Sequence, residues 1–214
     1  MKTLFTVLVV VSMSLAAAGG IEGVRWVFED SPAGKVPEGW SVAKTGDGPG
    51  SVWKVIEDET APSGTHVLAQ ISSDGPRPLF NLCVCDEADF TDVDVTVSFK
   101  AVKGKIDQGG GPVWRYKDEN NYYIARMNPL ESNFRVYKVE SGRRQQLESS
   151  DVEASAGKWH SIRVHHKGEH IRCYLNGELL LDVHDATFVE AGKVGLWTKA
   201  DAVTSFDDFI CRGD

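Results

Sequence analysis

From residue 24 to residue 211 the chain breaks into about a dozen short runs rich in β-branched and aromatic residues, and none holds a helical repeat for three turns. VRWVFE, SVWKVIE, HVLAQIS, NLCVCDE, VDVTVSFKAV, NYYIARM, NFRVYKV, WHSIRVHH, HIRCYLN, ELLLDV, VGLW and SFDDFIC are separated by clusters of Gly, Pro, Asn and Asp. Asn176-Gly177, between IRCYL and ELLLDV, suits the positive φ angles of a two-residue hairpin and makes this end of the chain an antiparallel meander. So many short strands predict an all-β fold, a two-sheet antiparallel β-sandwich or jelly roll.

The first twenty residues, MKTLFTVLVVVSMSLAAAGG, set Lys2 before an apolar run that ends at small residues fit for cleavage. This predicts a signal peptide at residues 1–18, a secreted or periplasmic location, and one domain over 19–214. A buried N-terminal helix is the competing reading. The apolar run is shorter than the roughly 20 residues of a spanning helix, so no membrane span is expected.

The formal charge is −8, which does not draw nucleic acid or anionic lipid by long-range electrostatics. A neutral or cationic partner is easier to accept. Cys83, Cys85, Cys173 and Cys211 can pair in three ways or remain buried thiols. Cys83 and Cys85 share one face of an extended strand at about 6.5 Å between Cα atoms, which disfavours a direct bond.

Alternation is strongest from Trp114 to Lys138. In NYYIARMN, Tyr123, Ala125 and Met127 take one face and Tyr122, Ile124, Arg126 and Asn128 the other. In NFRVYKV, Phe134 and Val136 face one way and Asn133, Arg135 and Tyr137 the other. Trp114 stands opposite Arg115. Arg115, Tyr122, Arg126, Asn128 and Arg135 are therefore expected on one side of a single sheet. Arginines beside amphipathic aromatics suit stacking on a sugar ring, hydrogen bonding to its hydroxyls or clamping a carboxylate. The bland alternative is an outer sheet surface with cross-strand pairs such as Arg126 with Glu131.

The order GGGPVWRYKDENNYYIAR, FRVYKVESGRR, GKWHSIRVHHKGEHIRCYLNG, GKVGLWTKADAVTSFDDF resembles the concanavalin A-like lectin/glucanase superfamily. Within it the chain is similar to bacterial secreted domains of the laminin-G-like and 3-keto-disaccharide hydrolase-like groups, over about residues 25–212. The resemblance implies a curved jelly roll whose concave sheet binds or hydrolyses glycans, with Trp197 and Lys199 joining the set above. It also implies paired terminal strands that bring Glu29 and Asp30 near Asp207 and Asp208, where several relatives hold structural calcium. The alternative is carboxylates that keep an edge strand soluble.

Glycan binding is thus the expected function, by stacking on Tyr122, Tyr137 and Trp197 with polar grip from Arg115, Arg126, Asn128, Arg135 and Lys199. A hydrolase of a modified sugar, with Glu131 as acid or base, and a cell-surface interaction module are the alternatives. Glycosidases need two carboxyl groups across the scissile bond. The Glu-x-Asp-x-(x)-Glu strand of the superfamily's glucanases is missing; Glu87-Ala88-Asp89 reads as a strand end and turn without a third glutamate. Glu131 instead suits orientation of Arg126 or Arg135. The histidines show no H-E-x-x-H or similar metal spacing, and His165 and His166 point to opposite faces.

Overall fold

A computed structural model describes residues 23–213; the expected signal peptide lies outside them. Fifteen strands and no helix occur among the described residues, so none of these contains a helix long and apolar enough to cross a membrane. Numbered in chain order, the first sheet runs β13 (Glu178–His184), β12 (His170–Leu175), β11 (Trp159–Lys167), β6 (Val93–Lys103), β15 (Val203–Gly213), β4 (His66–Gln70), β3 (Trp53–Glu57). The short β1 (Gly23–Trp26) also pairs with β15. The second sheet runs β10 (Arg143–Asp151), β9 (Asn133–Glu140), β8 (Asn121–Asn128), β7 (Gly110–Asp118), β14 (Gly192–Lys199), β5 (Phe80–Phe90), β2 (Trp40–Thr45). All pairings are antiparallel, and the two sheets form a β-sandwich.

Period-two alternation decides the core. It sends Val95, Val97 and Phe99 of β6 inward to meet Trp114, Tyr123, Ala125, Met127, Phe134 and Val136 of the second sheet. Asn176 and Gly177 take positive φ and close the β12–β13 hairpin as expected. Glu87, Ala88 and Asp89 differ from expectation. They lie inside β5, because that strand continues past a register shift in its pairing with β14. Gly110 and Gly111 also belong to a strand. A side chain at either would strike the carbonyls of Trp197 or Ala125, so only glycine lets β7 fit between its neighbours.

The outer face of an antiparallel sheet ordinarily meets water. On the second sheet it carries instead a second buried cluster, including Phe80, Leu82, Val113, Tyr122, Ile124, Tyr137 and Trp197. Curvature accounts for this. In a flat sheet with strands ~4.8 Å apart, β10 and β5, five places apart, would stand about 24 Å from each other. Yet the guanidinium of Arg144 in β10 lies 5.2 Å from the ring centre of Phe80 in β5. Likewise Thr45 of β2 and Tyr122 of β8 share a hydrogen bond of 2.7 Å across four places. The second sheet is curled into a trough, and its outer face is concave.

All four cysteines are free and buried in the core between the sheets, which resolves the alternatives left by their spacing. Burial raises every one of these thiols above its ordinary value. The native protein is therefore expected to resist maleimide labelling and to take up four labels per chain once denatured without reductant, read by intact mass. Two labels or none after denaturation would show disulfides.

Candidate functional site

The concave face receives its polar groups from strands and one loop. β8 presents Arg126 and Asn128 beyond Tyr122 and Ile124, and β9 presents Asn133 and Arg135 beyond Tyr137, as alternation predicts. β14 adds Lys199 two residues beyond Trp197. Asp107 comes from the loop before β7. That loop is pinned by the Asp201 carboxylate, which accepts the amides of Lys105, Ile106 and Asp107. Burial pushes the Asp201 carboxyl up, but these amides prevail and its net shift is downward.

Asp107 is fully buried and is the hub. Lys199 Nζ lies 3.0 Å from its Oδ2, Asn128 Nδ2 donates to its Oδ1 at 3.1 Å, and Arg126 Nη1 stands 3.6 Å from Oδ1. Arg126 turns its other amino group to Glu131 Oε2 at 2.7 Å, and Arg135 reaches the same oxygen at 3.4 Å. Asn133 Nδ2 also donates to it, at 3.2 Å. Asn128 Oδ1 accepts the amides of Leu130 and Glu131 and so shapes the turn that carries Glu131. The expected Arg126–Glu131 pair is present. Burial pushes Glu131 up, but Arg126, Asn133 and Arg135 overcome it and hold the carboxyl below its ordinary value. A proton donor near neutrality requires the opposite shift.

Arg144 completes the set. Its guanidinium lies 4.4 Å from the ring centre of Tyr137, 5.2 Å from Phe80 and 5.9 Å from Trp197, a cation on three electron-rich faces. Burial lowers its pKa, opposed by Tyr137. Within the protein, Arg144 Nη1, Arg126 Nε and the Tyr137 hydroxyl are buried and lack a hydrogen-bond partner. Beside Glu131, a depression of about 300 Å³ opens between Ser132, Asp151, Val152 and Glu153.

Two expectations are corrected here. Arg115 does not join the concave face, because the β7 ladder shifts between Trp114 and Asp118 and Arg115 adopts φ 44°. Its side chain is buried elsewhere, donating to the carbonyls of Thr91, Phe188 and Gly168 at 2.7, 2.7 and 2.8 Å. Tyr122, Tyr137 and Trp197 do lie on the concave face, yet all are buried; Tyr137 and Trp197 form a bed for Arg144 and Tyr122 bonds Thr45, in place of open stacking platforms. Sequence reasoning missed Arg144 and Asp107. Arg144 sits in RRQQLESSD, a polar strand with no apolar alternation to betray it, and Asp107 sits in a loop.

The four residues named for calcium divide. Glu29, Asp207 and Asp208 gather around the segment Ser63–His66, whereas Asp30 is exposed and makes none of these contacts. Glu29 accepts the amides of Thr65 and His66, Asp207 those of Ser63 and Asp208, and Asp208 the Ser63 hydroxyl and the Arg25 guanidinium. As arranged, amides and Arg25 occupy oxygens that a calcium ion would need. Burial, with the charges of Asp208 and Glu29, pushes Asp207 from 3.8 up to about 6, although the two amides oppose it.

The native state thus binds the Asp207 proton more tightly than the unfolded state does. This group's contribution is full below pH 3.8 and is lost as pH rises through about 6, at most about 3 kcal/mol. Asp185, lowered to about 2, acts oppositely but only in stronger acid. His166, lowered by burial from 6.5 to about 3, acts oppositely within the same range, so the Asp207 effect is read as a difference between two proteins. In urea unfolding, the stability of Asp207→Asn minus that of the wild type is expected to rise from pH 4 to pH 7 by about 2 kcal/mol. A difference that does not change with pH would remove Asp207 as the cause.

Comparison with known proteins adds family and fold. A model of the 3-keto-alpha-glucoside-1,2-lyase-like domain matches residues 27–209. A levanase of Bacillus subtilis is 27% identical over 126 residues, 58% of this chain and 18% of the levanase, so the chain spans under a fifth of that relative. Among solved structures, carbohydrate-binding module CBM66 from Bacillus subtilis superposes with a TM-score of 0.65 at 19% identity, covering 81% of this chain and 95% of the module. Cellulose-induced protein Cip1 gives 0.61 at 14% identity, over 87% and 96% of the two chains.

Proposed function

This chain belongs to the 3-keto-alpha-glucoside-1,2-lyase-like domain family, and from that premise we propose that its concave face binds a carbohydrate. The observation that carries the reading is the buried charge cluster of Asp107, Arg126 and Lys199, with half-buried Arg144 beside it and polar atoms left over. Buried ions are poor stabilisers even when paired, and buried polar atoms without partners cost more. Adjacent guanidinium and carboxylate groups offer donors and acceptors side by side, which is what vicinal sugar hydroxyls require. The structural likeness to a carbohydrate-binding module and the sequence match to a levanase support the same ligand class.

In this proposal Arg126, Arg144 and Lys199 donate to the sugar and Asp107 and Glu131 accept from it. Arg135 and Glu131 stand at the rim, 31% and 38% exposed, where a ligand enters beside the depression. Tyr137, Trp197 and Phe80 act beneath, keeping Arg144 in place. Binding in this mode needs no proton transfer, which agrees with a Glu131 held ionised. Secretion, inferred from residues 1–18, would bring the domain to glycans outside the cytoplasm.

A glycan array probed with the mature chain is expected to give a defined set of bound sugars. Isothermal titration with one of them should show about tenfold or greater loss in Arg144→Gln and Lys199→Met, the worth of a charged hydrogen bond. Mass spectrometry of the same glycans should show no product. Cleavage abolished by Glu131→Gln would move the protein to the enzymes, and no binding at all would leave the concave face without this role.

We also propose calcium at Glu29, Asp207 and Asp208, as a competitor of Arg25. The negative charge crowded around Asp207 supports it. Millimolar calcium should raise the melting temperature, more so in Arg25→Ala; no rise in either protein removes the proposal.

A further inference from the structure

The β12–β13 hairpin at the edge of the first sheet places three metal-binding side chains together that lie far apart in type and spacing from any sequence motif. His170 and His184 are direct cross-strand partners, and their rings stack at 4.5 Å with an interplanar angle of 5°. Asp182, two residues before His184, is on the same outward face, since Leu181 and Val183 between and beside it turn to the core. His170 Nε2 and Asp182 Oδ1 are 2.6 Å apart. One ligand atom from each of the three residues lies within 4.8 Å of the other two. Glu169 Oε1 stands 3.9 Å from His184 Nδ1, beyond hydrogen-bond reach but near enough to add its charge to the trio.

We propose that His170, Asp182 and His184 form a binding site for a divalent transition metal, with zinc as its representative ion. The chemistry selects the class. Two neutral imidazoles and one carboxylate suit zinc, nickel or copper, whereas calcium and magnesium ask for oxygen alone. Bonds of 2.0–2.2 Å in tetrahedral geometry put ligand atoms about 3.4 Å apart, so side-chain rotations of roughly 1 Å close the trio on an ion. The hydrogen bond between His170 Nε2 and Asp182 Oδ1 stands where the ion would, so metal binding replaces it. All three side chains are at least a third exposed, which leaves the fourth position to water.

Such an ion would tie β13, a sheet edge, to β12. It would do so on the sheet opposite the trough, independently of any sugar. Neither residue spacing nor a chelating helix motif is involved; the site exists only because the hairpin register sets residue 170 against residue 184.

The test uses the mature chain with every affinity tag removed and metals stripped by chelator. Isothermal titration with zinc chloride should show saturable binding of one ion per chain, and calcium chloride should not compete. His184→Ala and Asp182→Asn should each weaken zinc binding by more than about tenfold, and Glu169→Gln by less. Circular dichroism melts without metal control for folding of each variant, and zinc should raise the melting temperature of the wild type only. Absence of saturable binding by the wild type overturns the proposal. So does binding that both variants retain, because the zinc would then sit at other histidines.

Discussion

The inward curl of the second sheet is the constraint on which the rest depends. A flat seven-stranded sheet would leave Phe80, Trp197, Tyr122 and Tyr137 open to water on its outer side. Rolled up, it lets Arg144 lie across three of those rings and Thr45 close against Tyr122 from the far edge. Each cation–π contact contributes about 0.5–2 kcal/mol, so together they offset part of the cost of burying a guanidinium. Curvature also turns a surface into a cleft. The same strands that make the outer face apolar at one end bring Arg126 and Lys199 to the loop residue Asp107 at the other.

Three arginines drawn into the fold show how differently one residue type is used. Arg115 has backbone carbonyls on three of its nitrogens and fastens the turn at Gly168 to the segments at Thr91 and Phe188. It is a strut, and its partners explain why a non-glycine residue tolerates a left-handed conformation there. Arg126 is equally enclosed and Arg144 half-buried, and each keeps a buried nitrogen with nothing to donate to. That difference in saturation separates a structural arginine from one available to a ligand. It weighs more than exposure, which is nearly nil for Arg115 and Arg126 alike.

Much of this was legible in the chain. Alternation assigned Tyr123, Ala125 and Met127 to the core and Arg126, Asn128, Arg135 and Tyr137 to the other face, because a period of two leaves only one arrangement with a dry interior. Asn-Gly marked its hairpin. What failed was of another kind. Arg115 was misplaced because a bulge resets alternation without leaving a glycine or proline as a sign. Arg144 was missed because a polar edge strand has no hydrophobic period, and Asp107 because loop positions follow from tertiary anchoring such as that of Asp201. The pairing of His170 with His184 depends on register across a hairpin that itself contains a bulge between Cys173 and Tyr174.

The four free thiols bear on how the chain reaches this state. Cys83 and Cys85 belong to one sheet, Cys173 and Cys211 to the other, and only the closing of the sandwich shields them. Strands adjacent in each sheet are often distant in sequence: β6 lies beside β15, and β5 beside β14. Such pairings form slowly, since long loops must close before contacts reward them. Where folding takes place under oxidising conditions, the interval before closure is a race between sheet assembly and thiol oxidation. A variant that slows folding without weakening the native state would lose this protein to mispaired disulfides, a failure written in kinetics and invisible in any equilibrium measurement on the folded molecule.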